Sequence, residues 1–142
     1  MAWEGLGWYP RVRTYTMNAL LDSVTVPHLK TSSLHRPSQV FLFLDEREDS
    51  IEDCKFKMIL DYGPDKLAAI PGSYHNGSAC FSFADGHAEK HRWLDRRTNP
   101  LLNPRWRIGI PWVFPPGPLN SDVLWLREHA AYWENPVFDE SM

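Results

Sequence analysis

The sequence predicts an α+β fold, in which an antiparallel sheet of about four strands packs against one helix near the C-terminus. Three observations support this prediction. An apolar run enters Asp85-Gly86 and a polar alternating run leaves it, and Asp-Gly between two such runs is a strong signal for a β-hairpin. The short apolar run Val40–Leu44 is typical of a strand buried on both faces. From about Asp122 to Trp133, apolar residues recur at helical spacing.

The predicted hairpin has arms from about Ala79 to Ala84 and from about His87 to Leu94. A two-residue type I′ turn requires positive φ at both central residues, which aspartate and glycine tolerate. We therefore expect Asp85 and Gly86 to form a two-residue turn. In that register Ala84 faces His87, and Cys80 faces His91.

Three other segments, a strand, a loop and an undecided entry segment, are assigned only approximately. Phe56–Leu60 is expected to form a strand that ends at Tyr62-Gly63-Pro64. Asp45–Asp53 is a charged loop between strands. Tyr15–Leu21 mixes apolar and small polar residues, so a short helix and an extended entry segment both remain open for it.

Residues 100–118, called here the strap, hold six of the twelve prolines together with several large apolar side chains. Proline lacks a backbone donor, so the strap is not expected to be a central strand, and its apolar content argues against a loose linker. We expect an extended segment that packs on the core or on a neighbouring chain. Its candidate interaction surface consists of Trp106, Trp112 and Phe114, with Ile110 and Val113 between them.

The helix that follows the strap has N-cap candidates at Asn120–Asp122 and is closed by Pro136. One face of this helix is predicted to carry Val123, Leu126, Ala130 and Trp133. Five of the seven tryptophans lie beyond residue 90, which indicates that the C-terminal third is folded.

Chain length, net charge and apolar content limit the classes of protein to which this chain can belong. A chain of 142 residues is one domain, large enough for a hydrophobic core. The net charge of −3 and the lack of a basic cluster argue against nucleic-acid binding. The longest apolar run, Val40–Leu44, is far shorter than the roughly 20 residues that a membrane-spanning helix needs.

Beyond the hairpin, His75 stands nine residues before Asp85-Gly86, and three further blocks accompany this motif in a fixed order. These are Arg13–Asn18 (RTYTMN), the segment from Pro37 to Ile51 with its strand and acidic loop, and Trp93 with Asp95–Thr98. Over about residues 10–98 the chain resembles the C-terminal His–nine residues–Asp-Gly domain of bacterial pseudopilin-like proteins, the prepilin-type processing-associated family. It departs from the family at Cys54, where relatives usually carry glycine or a small residue.

The resemblance implies the globular head of a type II secretion or type IV pilus-like pseudopilin, spanning residues 10–98, with the strap and helix of residues 99–142 added to it. It implies an assembly or surface-binding role in a fibre of the cell envelope, periplasmic or at the cell surface. The expected partners are other pilin-like subunits, a second copy of the chain, or a glycan or secreted cargo. Most relatives also have a leader and a long apolar N-terminal helix, which this chain lacks. We therefore expect a fragment that reaches the membrane only through that missing helix.

The motif residues His75, Asp85, Gly86 and His87 are predicted to be structural. We expect His75 to brace either the acidic loop or the segment around Asp85. Within the acidic loop, Asp45 is expected to accept hydrogen bonds from His75 or from backbone donors. The competing interpretation is a calcium site, as found in related secretion pseudopilins, whose candidate ligands are Asp45, Glu46, Asp49 and Asp53.

The state of the two cysteines and the presence of a catalytic or sugar-binding site stay open in the sequence. Cys54 and Cys80 are either a disulfide or two free thiols, because sequence does not report the required Cα separation. A metal-dependent hydrolase would use Asp45, Glu46, His75 and Asp85, although no nucleophile elbow accompanies them. A carbohydrate-binding module would instead use exposed tryptophans. We expect a non-catalytic protein without a required cofactor.

Overall fold

The computed structural model of the protein describes residues 13–22, 34, 36–57, 65–102 and 111–130. These residues form seven strands and one α-helix, which confirms the α+β class. The strands are β1 (Tyr15–Asn18), β2 (Phe41–Asp45), β3 (Lys55–Phe56), β4 (Lys66–Leu67), β5 (Ser78–Phe83), β6 (Ala88–Arg92) and β7 (Trp112–Val113), and the helix is α1 (Ser121–Ala130). Short 3-10 turns occupy Ala19–Asp22, Pro37–Gln39 and Arg96–Thr98.

The main sheet has five strands in the order β3-β1-β2-β5-β6, and a separate pair joins β4 to β7. All neighbours in the main sheet are antiparallel except β1 and β3, which are parallel. The predicted sheet of about four antiparallel strands is therefore corrected to a mixed sheet of five. The reason is the connection after β2: the chain crosses the end of β1 and pairs on its far side, so β3 runs in the same direction as β1.

Strand β2 lies at the centre of the sheet, but the prediction that both of its faces are buried is wrong. Its pairing with β5 shifts register between Phe41 and Phe43. Such a bulge lets Phe41 and Leu44, three residues apart, both reach the core, where they are 0% and 1% exposed. Phe43 instead points to solvent, 43% exposed, with its ring against that of Tyr15.

The core lies between the opposite face of the sheet and α1. Phe41, Phe81 and Phe83 meet Val123, Leu126 and Ala130 of the helix there. The predicted apolar face of the helix is thus confirmed for its described part, while Trp133 lies outside the described residues. Asn120 caps the helix, since its Oδ1 accepts hydrogen bonds from the backbone N–H groups of Asp122 and Val123 at 2.9 and 3.3 Å.

The turn between β5 and β6 is longer than predicted. Ser82 pairs with Ala88, the Phe83 N–H donates to the His87 carbonyl, and the Gly86 N–H donates to the Phe83 carbonyl. Residues 84–86 therefore form a three-residue loop in which only Gly86 has positive φ, +93°. A type I turn followed by a left-handed glycine is the common solution for three-residue hairpins.

The predicted two-residue turn at Asp85-Gly86 is therefore wrong, and with it the predicted register. Cys80 faces Lys90 rather than His91, and Ala84 belongs to the loop rather than to a strand pair with His87. The arms themselves are confirmed: β6 lies within its predicted segment, and β5 begins one residue before the predicted start, at Ser78.

The strap is an extended segment where it is described. Its strand β7 pairs with β4, and Phe114 is a core residue, 6% exposed. Phe114 is therefore corrected from a candidate interaction surface to a packing residue. Trp112 is partly buried against the core, and its indole N–H donates to the Arg97 carbonyl at 3.0 Å. Val113 is half exposed, whereas Trp106 and Ile110 lie outside the described residues.

The two cysteines, Cys54 and Cys80, are free and exposed, so the disulfide is not formed. Cys54 directly precedes β3, and Cys80 belongs to β5. Two strands, β1 and β2, separate them in the sheet, which corresponds to about 14 Å at ~4.8 Å per strand. A disulfide needs Cα atoms within about 7 Å.

The strand predicted at Phe56–Leu60 is observed as Lys55–Phe56, and residues 58–60 are not described. For Tyr15–Leu21, an extended segment and a helical turn are used in succession: a strand up to Asn18 and then a 3-10 turn. In the described part of the chain, no helix has the length and apolarity to span a membrane.

Candidate functional site

On the solvent-facing side of the main sheet, Tyr15, Asp45 and Cys80 lie in a row across the adjacent strands β1, β2 and β5. The register that pairs Leu44 with Phe81 places the next residue of β2, Asp45, beside Cys80 of β5. Because Leu44 and Phe81 face the core, Asp45 and Cys80 face solvent. The Cys80 backbone N–H donates to Oδ2 of Asp45 at 2.9 Å, which fixes the carboxylate against the neighbouring strand.

His75 approaches this row from the turn before β5. Asn76 and Gly77 have φ of 54° and 74°, the pair of positive values that a type I′ turn requires, and the His75 N–H donates to the Ser78 carbonyl at 3.2 Å. The two successive positive φ values expected at Asp85-Gly86 are thus found at Asn76-Gly77. This turn folds the His75 side chain back over β2.

The segment before His75 is held close to the end of β2. The Gly72 N–H donates to the Asp45 carbonyl at 2.7 Å, and a Cβ added at Gly72 would lie 2.8 Å from the Cβ of Asp45. Trp93 donates from its indole N–H to the Gly72 carbonyl at 2.7 Å. One residue before His75, the hydroxyl of Tyr74 bonds to the carboxylate of Glu48. These contacts fix the path of the backbone that presents His75.

The three side chains converge. Nε2 of His75 lies 3.2 Å from Oδ2 of Asp45, so the predicted contact between His75 and the start of the acidic loop is present. One ligand atom from each of Asp45, His75 and Cys80 lies within 4.8 Å of the other two. Partial burial and the nearby Asp45 carboxylate raise the pKa of the Cys80 thiol, while Lys90 on the adjacent strand opposes this shift. The arrangement offers one oxygen, one nitrogen and one sulfur donor.

Asp85 and His87 form a second, separate pair at the far end of β5. The His87 ring bonds to the Asp85 carboxylate and stacks on Phe83, with centroids 4.4 Å apart. The hydrogen bond from the His87 ring lowers the pKa of Asp85, and the same bond raises the pKa of His87. Asp85 is thus a turn residue, and β5 separates it from His75.

The acidic loop does not converge on a common point. Asp49 makes a two-pronged, buried ion pair with Arg47, at 2.6 and 2.7 Å. Asp53 accepts from the Lys55 N–H at 2.8 Å and lies 3.5 Å from the Lys57 ammonium group. Among the described residues, the only metal-compatible group of three contains Asp45 but not Glu46, Asp49 or Asp53. The four oxygen ligands predicted for calcium are therefore not brought together.

Glu46 points into the protein and is 1% exposed. Burial raises its pKa from the ordinary 4.5 to about 8, although the hydroxyls of Thr16 and Ser50 favour the charged form. Ser50 donates to Oε1 at 3.1 Å, whereas Oε2 has no hydrogen-bond partner among the described residues. Glu46 and Asp85 are thus not part of a shared catalytic set with Asp45 and His75, and the four hydrolase candidates do not meet.

A further polar centre was not identified from the sequence. Asp122, at the start of α1 and 1% exposed, accepts hydrogen bonds from the backbone N–H groups of Leu94 and Asp95 and from the hydroxyl of Thr98. Burial opposes its ionisation, but these bonds and the nearby His91 lower its pKa overall. Asp122 therefore joins the helix to the end of β6. An aspartate at a helix N-terminus is ordinary capping chemistry, so the sequence carried no signal for this longer-range role.

Aromatic side chains surround the same centre. Trp125 stacks between His91 and His129, with centroid separations of 3.8 and 4.2 Å. Trp93, Trp112 and Trp125 are buried or partly buried, so no tryptophan within the described ranges is an exposed platform for a sugar.

Comparisons of the chain with protein-family models, with curated proteins and with solved structures found no match.

Proposed function

We propose that this chain is the globular head of a pilin-like protein, a pseudopilin, with a non-catalytic assembly or surface-binding role in a secretion- or pilus-type fibre. One observation carries the proposal. The four sequence blocks that resemble the family lie far apart in the chain, yet three of them form β1, β2 and β5 with its turns, which are adjacent strands of one sheet, and the fourth is the segment that directly follows the edge strand β6. Blocks that follow one another in the family's order therefore fold into one structural unit.

The polar residues of these blocks hold turns and strand ends in place. His75 contacts Asp45 across the gap between a turn and a strand end, and Asp85 contacts His87 within the hairpin. Asp95, which caps the turn Arg96–Thr98, pairs with Arg97 at 2.6 Å. Side chains that fix turns and strand ends suit a domain that presents a surface, and the proposed role requires no cofactor.

Exposed aliphatic side chains support contact with other subunits. Four leucines are more than half exposed: Leu94 at 75%, Leu101 at 93%, Leu102 at 56% and Leu119 at 59%. They lie on two segments, 94–102 and 111–120, which Thr98 joins through hydrogen bonds with Asn120 and Asp122. Exposed apolar patches mark partner surfaces, so these two joined segments are the candidate region for a subunit contact.

The test is the location of the full-length protein in its own bacterium. The tagged protein is expected in the fraction of fibres sheared from the cell envelope, together with pilin-like subunits, and it should leave that fraction when the genes for those subunits are deleted. A tagged periplasmic protein without the motif controls for leakage. Recovery only from the cytosol, or from the sheared fraction regardless of the deletions, would contradict the proposal.

A further inference from the structure

We propose that Asp45, His75 and Cys80 bind a divalent transition-metal ion of borderline softness, represented by Zn²⁺. Three different donor atoms from three residues distant in sequence lie within 4.8 Å of one another. Neither the assembly role nor the acidic-loop calcium hypothesis accounts for this grouping, because Cys80 belongs to neither. The inference concerns a site on the sheet face and is independent of the fibre role.

The donor set selects the metal. Zinc binds thiolate sulfur at ~2.3 Å and imidazole nitrogen or carboxylate oxygen at ~2.0–2.2 Å, so ligand atoms around a tetrahedral ion lie about 3.3–3.8 Å apart. Nε2 of His75 and Oδ2 of Asp45 are already 3.2 Å apart. Sγ of Cys80 lies within 4.8 Å of the other two atoms, so bringing it into range requires a movement of at most about 1 Å, which rotation of an exposed side chain can supply. Calcium and magnesium prefer oxygen ligands, so a set with one sulfur and one nitrogen disfavours them.

The protein places Asp45 and Cys80 next to each other without a bound ion. Asp45 and Cys80 are neighbours across the β2–β5 pair, and the Cys80 N–H bonds to Oδ2 of Asp45. That bond is the kind of outer-shell contact that orients a metal-binding carboxylate. His75 arrives on a tight turn fixed by two residues with positive φ. Little conformational freedom is therefore lost on binding.

The site is open to the ion. The side chain of His75 is 47% exposed and that of Asp45 is 17% exposed, and Cys80 is also exposed. Three protein ligands leave a fourth tetrahedral position, which faces solvent and would hold a water molecule. On binding, the Cys80 thiol releases its proton to solvent as the metal–sulfur bond forms. His75 binds through Nε2 as the neutral ring, with its proton on Nδ1, and Asp45 binds as the carboxylate.

Calorimetric titration of the purified full chain with ZnCl₂ under reducing conditions tests the proposal, with Co²⁺ absorption as the second measurement. We expect one ion per chain and a cobalt–thiolate charge-transfer band. Cys80→Ser should abolish that band and weaken zinc binding by tenfold or more. His75→Ala should weaken zinc binding to a similar degree while leaving a thiol present.

Cys54→Ser is the matched control, because it removes the other exposed cysteine, which lies about three strand spacings away. It should retain both the stoichiometry and the cobalt band. His87→Ala controls for binding by the separate Asp85–His87 pair. Absence of binding by the wild type, or equal effects of Cys54→Ser and Cys80→Ser, would overturn the proposal. If near-UV circular dichroism shows that Cys80→Ser is unfolded, His75→Ala with its half-exposed side chain decides alone.

Discussion

At the scale of single residues, Glu46 has the environment with the clearest consequence for stability. Its carboxyl group is enclosed by the end of β2 and the following loop, and burial raises its pKa to about 8. The folded protein therefore keeps a proton on Glu46 between pH 4.5 and about 8, whereas the unfolded chain has lost it. Because the native state binds more protons in this window, the free energy of unfolding falls as the pH rises through it.

This sign leads to a prediction for Glu46→Gln, which is neutral at every pH. Between about pH 5 and pH 8 the wild type should lose about 3 kcal/mol more of its free energy of unfolding than Glu46→Gln loses. Urea unfolding at several pH values measures both. Glu52→Gln, which removes an exposed carboxylate from the same loop, should keep the wild-type slope. Parallel curves for the wild type and Glu46→Gln would show that Glu46 is ionised in the folded protein.

At the scale of elements, the hairpin β5–β6 depends on one left-handed residue, Gly86, with φ of +93°. Nothing among the described residues lies within 4 Å of a Cβ added there, so a substitution would act through the backbone conformation alone. Gly86→Val should lower the free energy of unfolding by about 1–2 kcal/mol, because a β-branched residue tolerates positive φ poorly. Gly86→Asn, which accepts this conformation better, should lose clearly less. Equal losses in thermal or urea unfolding would contradict the three-residue loop.

The hairpin also shows how far sequence reasoning reaches at this scale. Alternation around Asp85-Gly86 predicts both arms correctly, because side-chain period depends only on local pleating. The turn length is predicted wrongly, since aspartate-glycine favours a two-residue loop but also fits a three-residue loop with glycine in the left-handed position. One added residue in the loop then shifts every cross-strand pair, which is why Cys80 faces Lys90. Similarly, the bulge in β2 depends on its pairing with β5, a contact between segments about 40 residues apart.

In the candidate site as well, one contact could be predicted from the sequence and others could not. The contact between His75 and Asp45 could be predicted, because a histidine at a turn and an aspartate at a strand end both need polar partners. The inclusion of Cys80 could not, because it depends on the register between β2 and β5. The role of Asp122 likewise depends on where α1 meets the end of β6, which no local pattern reports.

At the scale of the whole molecule, the four exposed leucines lie on the segments that follow β6 and precede α1. Hydrogen bonds of Thr98 and of Arg97, which bonds to the Pro118 carbonyl at 2.6 Å, join these two segments to each other. The two segments are thus held together by polar contacts while their leucine side chains remain in water. Fully burying one leucine contributes about 1.5–3 kcal/mol, so contact between two such surfaces would be favourable.

We therefore expect the purified chain to self-associate through these two segments, with a dissociation constant that responds to their exposed leucines. The double variant Leu94→Ser/Leu101→Ser should raise the dissociation constant tenfold or more in sedimentation velocity, since it removes the two most exposed aliphatic side chains of the described residues. Tyr15→Ser is the matched control, because Tyr15 is 57% exposed but lies on the solvent-facing side of the sheet, in the row with Asp45. A chain that stays monomeric at millimolar concentration, or a control that weakens association as much as the double variant, would show that the leucines are not the contact.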